Sequence, residues 1–421
     1  MEELRIRFLG ACNEVGRSAV AIHNGGNYLL LDYGVIMNHE VGFPMHIAPR
    51  ELDAIILSHA HLDHSGLLPI FYLGGSIPVY GVEPTFRLVD VLIKDFIHLS
   101  GYYLPYEYID LQAMLGNRVA VKFGERFSVG DAEITLINAG HIPGSCQILV
   151  ELEGKRLLYT GDFNTIATRL LRPAERAYED LDALVIESTY ADEDHPDRGD
   201  LERDFVKRTT EVIQEGGIVL VPAFGVGRSQ EVLSILAAHH FEYPVFVDGM
   251  AIDVIRIFME FPSALRDPEL FKRAVRMADW VNGWRERRKA AKTPSVIVSP
   301  AGMLKGGAAA FYAEALAKDK RNAIFLVSYQ IPGTPGRLLL EKKKLTVRGR
   351  LRKVEADVEK FDFSSHVGRE ELQEVLSKLD SKTKVFVIHG AEGNCARLAS
   401  WAKEELGLNA VAPSPGETYE I

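Results

Sequence analysis

Apolar and polar residues alternate through LRIRFLG from Leu4, recur in SAVAIH, and give way to an unbroken apolar run, YLLL, that closes on Asp32. With Gly25-Gly26-Asn27 as a hairpin signal, this stretch predicts strands joined by a tight turn. LDAIILS (52–58) predicts a buried strand that ends where a run of histidines begins. GLLPIFYLGG predicts a helix halted by glycines, IPVYGV another strand, and residues 85–115 a helical region. VAVKF, ERFSV, AEITLINAG, QILVELEG and KRLLYTGD then predict a series of strands. From about 191 to 340 the pattern changes. Helical periodicities (LERDFVKRTTEVIQEG, RSQEVLSILAAHH) alternate with fully apolar runs (IVLVPAF, PVFVDG, SVIVSP, AIFLVS), as parallel βαβ units require. After 351 the mixed pattern returns and ends on KVFVIHG, a helix and a short tail. The fold expected is a layered α/β architecture in which a second α/β domain, 191–345, interrupts a first made of 1–190 and 346–421.

Composition narrows this picture only slightly. The 421 residues are 47% hydrophobic and 25% charged, enough for two globular domains. Cys12, Cys146 and Cys395 are sparse and odd in number, which argues against a disulfide framework and makes a cytoplasmic protein the expectation. The N-terminus MEELRIRFLG lacks the apolar core of a signal peptide. A net charge of −10 disfavours a nucleic-acid partner at first sight, but binding responds to local potential. Basic residues crowd the later chain: Lys272, Arg273, Arg276, then Arg285, Arg287, Arg288, Lys289, Lys292, and finally Lys342, Lys343, Lys344, Arg348, Arg350, Arg352, Lys353. Solvated faces would give such runs too.

The sharpest chemistry lies in His59-Ala60-His61-Leu62-Asp63-His64, directly after the predicted strand. Imidazoles and a carboxylate packed into one turn are nitrogen and oxygen ligands suited to zinc. Asp32, His141, Asp162 and His389 each follow an apolar run in the same way. Alone, any of them would be an ordinary cap. Repeated beside a dense donor cluster, with carboxylates able to bridge, the placement favours two metals able to clamp a phosphate.

These residues resemble a known family. H-x-H-x-D-H with His141 and Asp162 resembles the ligand set of metallo-β-lactamases, while Glu187 (IESTYAD), His366 (FDFSSH) and His389 (VFVIHG) resemble motifs A, B and C of the β-CASP branch. The resemblance extends to the endonuclease subunit of the cleavage and polyadenylation specificity factor and its compact archaeal and bacterial relatives. It implies a metallo-β-lactamase αββα sandwich with an inserted α/β β-CASP domain. Neither an N-terminal KH extension nor the appended C-terminal domain of RNase J is expected. By position, His59, His61, His141 and Asp162 would hold one Zn2+, and Asp63, His64, His389 and the shared Asp162 the other. Asp32 would orient a ligand histidine from behind. Histidine at motif C implies single-stranded RNA rather than DNA as substrate. The implied reaction is hydrolysis of RNA phosphodiesters by hydroxide generated between two metals. Asp63 would serve the reacting centre, and His366, held by Glu187, would protonate the leaving 3′ oxygen.

Glycine turns after predicted strands add candidate phosphate contacts: Arg228 after Gly225-Val226-Gly227, Gly302 in SPAGM, Gly333 and Arg337 in QIPGTPGR, and Ser364 and Ser365 before His366. His23, His39, His46, His98, His195, His239 and His240 match no motif and are read as structural or surface residues. Endonucleolytic RNA processing or decay is the favoured activity. A 5′-3′ exoribonuclease, a DNA nuclease, a thioesterase or lactamase, and a non-catalytic RNA-binding subunit are the rivals. A homodimer through the C-terminal part of the metal domain, with APSPGETYEI at its interface, is also expected by resemblance.

Overall fold

Strand residues that alternate in side-chain direction can bury two faces at once when layers lie on both sides. In a computed structural model, which describes all residues except 1–2, 38–40, 101–102, 332, 348–349 and 392, the first unit is built this way. His39 and Arg348 lie outside the described residues. The first unit comprises 1–167, 173–194 and 365–421; the second comprises 168–172 and 195–364.

In the first unit, one seven-stranded sheet runs Thr418–Glu420, Arg5–Phe8, Val20–His23, Tyr28–Leu31, Ala54–Ile56, Val79–Gly81, Arg118–Ala120. The other runs Asn409–Val411, Lys384–Ile388, Ala183–Glu187, Lys155–Tyr159, Cys146–Leu152, Ala132–Asn138, Arg126–Val129. Ile6, Phe8, Leu29 and Ile56 of the first sheet pack with Ile148, Leu157, Val185 and Phe386 of the second in one core. The alternate residues Leu149, Leu158, Ile186 and Val387 pack instead against Leu372 and Val375 of helix Arg369–Leu376 and Leu398 of helix Asn394–Leu406. Ala21, Leu30 and Ile55, which alternate with core residues, are also fully buried, so the first sheet too is covered on both faces. The region 85–115 forms two helices, Glu83–Ser100 and Tyr108–Gly116, and GLLPIFYLGG yields only the 3-10 turn Leu68–Tyr72. The cysteines are free and buried. Among the described residues no helix is long and apolar enough to cross a membrane.

The second unit holds a six-stranded parallel sheet in the order Ala278–Val281, Val245–Asp248, Val296–Pro300, Val219–Ala223, Ala323–Leu326, Asp357–Lys360. Its last strand corrects the expected boundary at 345/346. DVEK pairs in parallel with Ala323–Leu326, so the chain stays in the second unit through Ser364. The excursion 168–172 belongs there as well: the Arg169 and Leu170 amides donate to the buried Glu231 carboxylate at 2.9 and 2.7 Å.

Candidate metal centre

The first unit gathers its polar residues where several strands end. Asp32 follows Tyr28–Leu31 and His59 follows Ala54–Ile56, two parallel neighbours in one sheet. Asp162, Glu187 and His389 follow or end Lys155–Tyr159, Ala183–Glu187 and Lys384–Ile388, parallel neighbours in the other, and His141 follows Ala132–Asn138. The sheets are stitched here by the Cys146 amide donating to the Ser58 carbonyl at 2.8 Å. Gly161, at φ +53°, stands so close to Ser58 that a Cβ would meet the serine Cβ at 2.9 Å.

Two four-residue donor sets share Asp162: His59, His61 and His141 with it, and Asp63, His64 and His389 with it; Glu187 and His366 form a smaller group with the same Asp162. Asp162 Oδ2 lies 3.6 Å from His59 Nε2 and 3.7 Å from His141 Nε2, and His141 Nε2 lies 3.1 Å from His61 Nδ1. On the other side, Asp162 Oδ1 is 3.3 Å from His64 Nε2 and 3.4 Å from His389 Nδ1, while His389 Nε2 is 3.4 Å from Asp63 Oδ2. Donors at bond lengths of about 2.0 Å around a tetrahedral ion stand ~3.3 Å apart, so these spacings fit one metal in each set. Among the described residues, the buried His59 Nε2, Asp162 Oδ1 and His389 Nε2 have no well-formed hydrogen bond. Orphaned buried donors of this kind are costly unless a cation claims them.

The opposite ring edges fix the tautomers. His141 Nδ1 donates to the Ser365 carbonyl at 2.9 Å, which leaves Nε2 as a lone-pair donor. Asp32, fully buried at φ +58°, accepts from the Ser58 amide (2.7 Å), the Ser58 hydroxyl (2.6 Å), His64 Nδ1 (2.7 Å) and the Tyr159 hydroxyl (2.8 Å). His59 Nδ1 in turn meets the Ser58 oxygen at 3.0 Å. Burial, with His64 and His366 respectively as facing imidazoles, holds His59 and His141 well below the usual histidine range. That shift favours their neutral form, the one that binds a metal; burial would lower His64 and His389 too, but Asp162 outweighs it and holds both above the usual range. Burial opposes ionisation of Asp162 too, but His389, His64 and His366 outweigh it and hold this carboxyl well below the usual range.

His366 and Glu187 complete the rim. His366 Nδ1 lies 2.9 and 3.0 Å from the two Glu187 oxygens, and its Nε2 is 4.0 Å from Asp162 Oδ2. Glu187, buried, is fixed by the Phe163 amide at 3.0 Å and the Thr189 amide at 3.3 Å. Its oxygens are thus committed to orienting the imidazole.

Of the remaining candidates, Ser365 belongs to the first unit and the others to the second. Ser365 contributes its carbonyl to His141. In the second unit, the Ser364 carbonyl accepts from Arg198 at 3.4 Å, and Gly333 adopts φ +81° ahead of helix Pro335–Lys342. Arg337 pairs with Glu341 at 2.6 Å, and Gly302 packs within 3.3 Å of the Ala223–Phe224 backbone, measured from where its Cβ would stand. Arg228 opens helix Arg228–Ala238 and is buried, not displayed as an open fork. Ser58, Tyr159 and Thr189, the last with its hydroxyl 3.3 Å from His389 Nδ1, belong to the site but carry no recognisable signature. The sequence reading missed all three, and the one signal available was their nearness to His59, Asp162 and Glu187 along the chain.

Histidines and carboxylates meeting at strand ends of two packed sheets, with a parallel α/β insertion, define a metallo-hydrolase. Residues 13–193 match the metallo-beta-lactamase superfamily, 229–339 the Beta-Casp domain, and 352–413 the Zn-dependent metallo-hydrolase RNA specificity domain. The chain is 42% identical to the "RNase aCSPSF2" of Saccharolobus solfataricus, over 99% of its own length and 85% of that protein. It is 34% identical to the "Probable RNase MJ4" of Methanocaldococcus jannaschii, over 99% and 100% of the two chains. To the "Transcription termination factor FttA" of the same organism it is 33% identical, over 94% and 68%. The chain belongs to the metallo-β-lactamase superfamily, in the branch that carries a Beta-Casp domain.

Proposed function

We propose that the chain is a zinc-dependent ribonuclease that hydrolyses single-stranded RNA endonucleolytically, with one zinc in each donor set. The observation that carries the reading is Asp162, whose two oxygens face different sets of neutral or acid-paired donors. RNA as substrate is supported by the match to an RNA specificity domain and by relatives named as RNases. Bound zinc supplies positive charge against a scissile phosphate and lowers the pKa of water towards about 7.

The chain's own residues do the rest. His59 and His141 offer lone pairs fixed by the Ser58 and Ser365 contacts, His61 joins them beside His141, and Asp162 holds the two sets in one frame. Asp63, whose side chain keeps 30% exposure, stands at the open side of its set and meets the arriving substrate and water. Glu187 grips His366 by Nδ1 and so turns Nε2 toward the donor cluster. Nε2 is thus placed to deliver a proton to the leaving 3′ oxygen, giving 5′-phosphate and 3′-hydroxyl ends.

End-labelled single-stranded RNA, incubated with and without chelator, tests this. Internal fragments that vanish on chelation support it. Mononucleotides released from the 5′ end would replace it with an exoribonuclease, and inertness of zinc-loaded protein would end the catalytic reading in favour of a binding subunit. A homodimer through the C-terminal part belongs to the same proposal. Thr418–Glu420 and Asn409–Val411 are edge strands, one in each sheet, and edges offer unpaired ladders to a partner. Light scattering that finds only monomer would remove it.

A further inference from the structure

The hydrolytic reading leaves one feature of the second unit unused. Trp284 opens the short helix Trp284–Ala290 and is 58% exposed, an uncommon position for so large an aromatic. Its indole is held from two sides. Phe311 meets it edge-on with ring centroids 5.4 Å apart, and the Arg287 guanidinium lies 4.9 Å from the ring centroid. Arg287 is itself pinned, donating through Nε and one terminal nitrogen to both oxygens of Asp248 at 2.7 Å each. Asp248 is fully buried at the end of strand Val245–Asp248 and also accepts the Tyr312 hydroxyl at 2.8 Å. The ion pair thus anchors the indole to the sheet, so little side-chain freedom remains to be lost on binding.

The surroundings are cationic. Arg285, Arg288 and Lys289 are exposed on the same helix. Its one acid, Glu286, is turned back to accept the Asn282 amide at 2.5 Å. In a chain of net charge −10 this is a local reversal of sign. The helix follows strand Ala278–Val281, so the platform lies beyond the carboxyl end of a parallel sheet, where such folds place ligands. A rigid aromatic face ringed by cations matches a nucleobase between phosphates.

We propose that Trp284 is a stacking platform for one base of single-stranded RNA, with Arg285, Arg288 and Lys289 on the flanking phosphates. The proposal rests on the ribonuclease reading and is tested separately from it. Zinc-loaded full-length protein is titrated with a phosphorothioate uridine oligonucleotide while tryptophan emission is followed. Wild type should show quenching, Trp284→Ala should lose most of it and bind about tenfold more weakly, and Trp284→Phe should recover most of the affinity. Replacing Arg285 and Arg288 by Gln should flatten the dependence of affinity on salt. Undiminished affinity in Trp284→Ala, with RNA still cleaved, overturns the platform and leaves the ribonuclease standing. Loss of self-association in that variant with RNA affinity intact overturns it in favour of a protein contact. A wild type that neither binds nor cleaves RNA overturns both.

Discussion

His64 Nδ1 lies 2.7 Å from Asp32 Oδ2, and that single contact joins the predicted metal loop to a buried carboxylate accepting from three other groups. Asp32 touches no metal donor lone pair, yet it sets which nitrogen of His64 faces Asp162. Outer partners of this kind typically change metal affinity by about 10- to 100-fold. Asp32→Asn should keep the fold and weaken zinc retention by about that factor, measured by competition with a chromophoric chelator. Unchanged retention would show that packing alone orients His64.

Metal should also stabilise the first unit. The donors follow strands of both sheets, and their imidazoles crowd at centroid distances of 4.1–5.0 Å. A ligand that binds only the folded chain adds stability with its concentration, about 4 kcal/mol at a thousandfold excess over Kd. Chelation should therefore lower the melting midpoint by several degrees, and zinc should restore it. His59→Ala should keep only the part of this response that the other donor set provides, and Asp162→Ala, which removes the residue both sets share, should make the midpoint insensitive to both treatments.

Proton delivery is separable from metal binding. His366 Nδ1 is engaged by Glu187, and its Nε2 stands 4.0 Å from Asp162. Positioned acids contribute roughly 10²–10⁴-fold to rate. His366→Ala should lose turnover by about that range while elemental analysis finds zinc unchanged. Glu187→Gln should lose less, because the amide still orients the ring. Zinc missing from His366→Ala would move this histidine from proton donor to ligand.

Much of the site was legible because its chemistry is contiguous: no ordinary loop places His59, His61, Asp63 and His64 together. Asp32, Asp162 and His389 were legible from their place after apolar strands. Tyr159 was not, since an aromatic at a strand end looks like core, and only the fold brings its hydroxyl to Asp32. The boundary at 345 failed for a different reason. Asp357–Lys360 is a charged edge strand, supported by ladder pairing with Ala323–Leu326 rather than by hydrophobic pattern. Arg287 shows a third limit. In a basic run it reads as a free cation, but Asp248 lies far from it in sequence.

A pH dependence follows from the second unit. Burial alone would raise the Glu202 carboxyl, but Arg169, Arg198 and His239 hold it below the usual range. Arg169 lies at 2.7 Å, Arg198 at 3.2 Å and His239 at 3.2 Å. For a depressed carboxyl the unfolded chain takes up its proton first. The stabilisation is complete above the unfolded value of about 4.3 and is lost as pH falls through the folded value. Glu202→Gln should be less stable than wild type at pH 7, with the difference shrinking in the acid limb below about pH 4.3. Melting midpoints measured across that range check it, and a constant gap between the two proteins would contradict it.

Gly34 offers the most local test of how the metal loop is held. The loop's backbone is tied to the neighbouring segment: the Tyr33 and Val35 amides donate to the His64 and Leu62 carbonyls at 2.8 and 2.9 Å, and the Ser18 amide donates to the Asp63 carbonyl at 2.8 Å. A Cβ at Gly34 would stand 1.8 Å from the Asp63 carbonyl oxygen and 2.5 Å from the His64 amide. Those are backbone atoms between two donors, so relief requires moving Asp63 and His64 themselves. A shift of even 1 Å in a preorganised site can cost about 10²-fold in rate. Gly34→Ala should therefore lose zinc affinity and activity together, beyond what its loss of thermal stability explains. Gly74→Ala, also a glycine-to-alanine change but at a position without a positive φ and where a Cβ meets nothing within 4 Å, should leave metal content intact. If Gly34→Ala retained full zinc and rate, the loop would be more yielding than its hydrogen bonds imply.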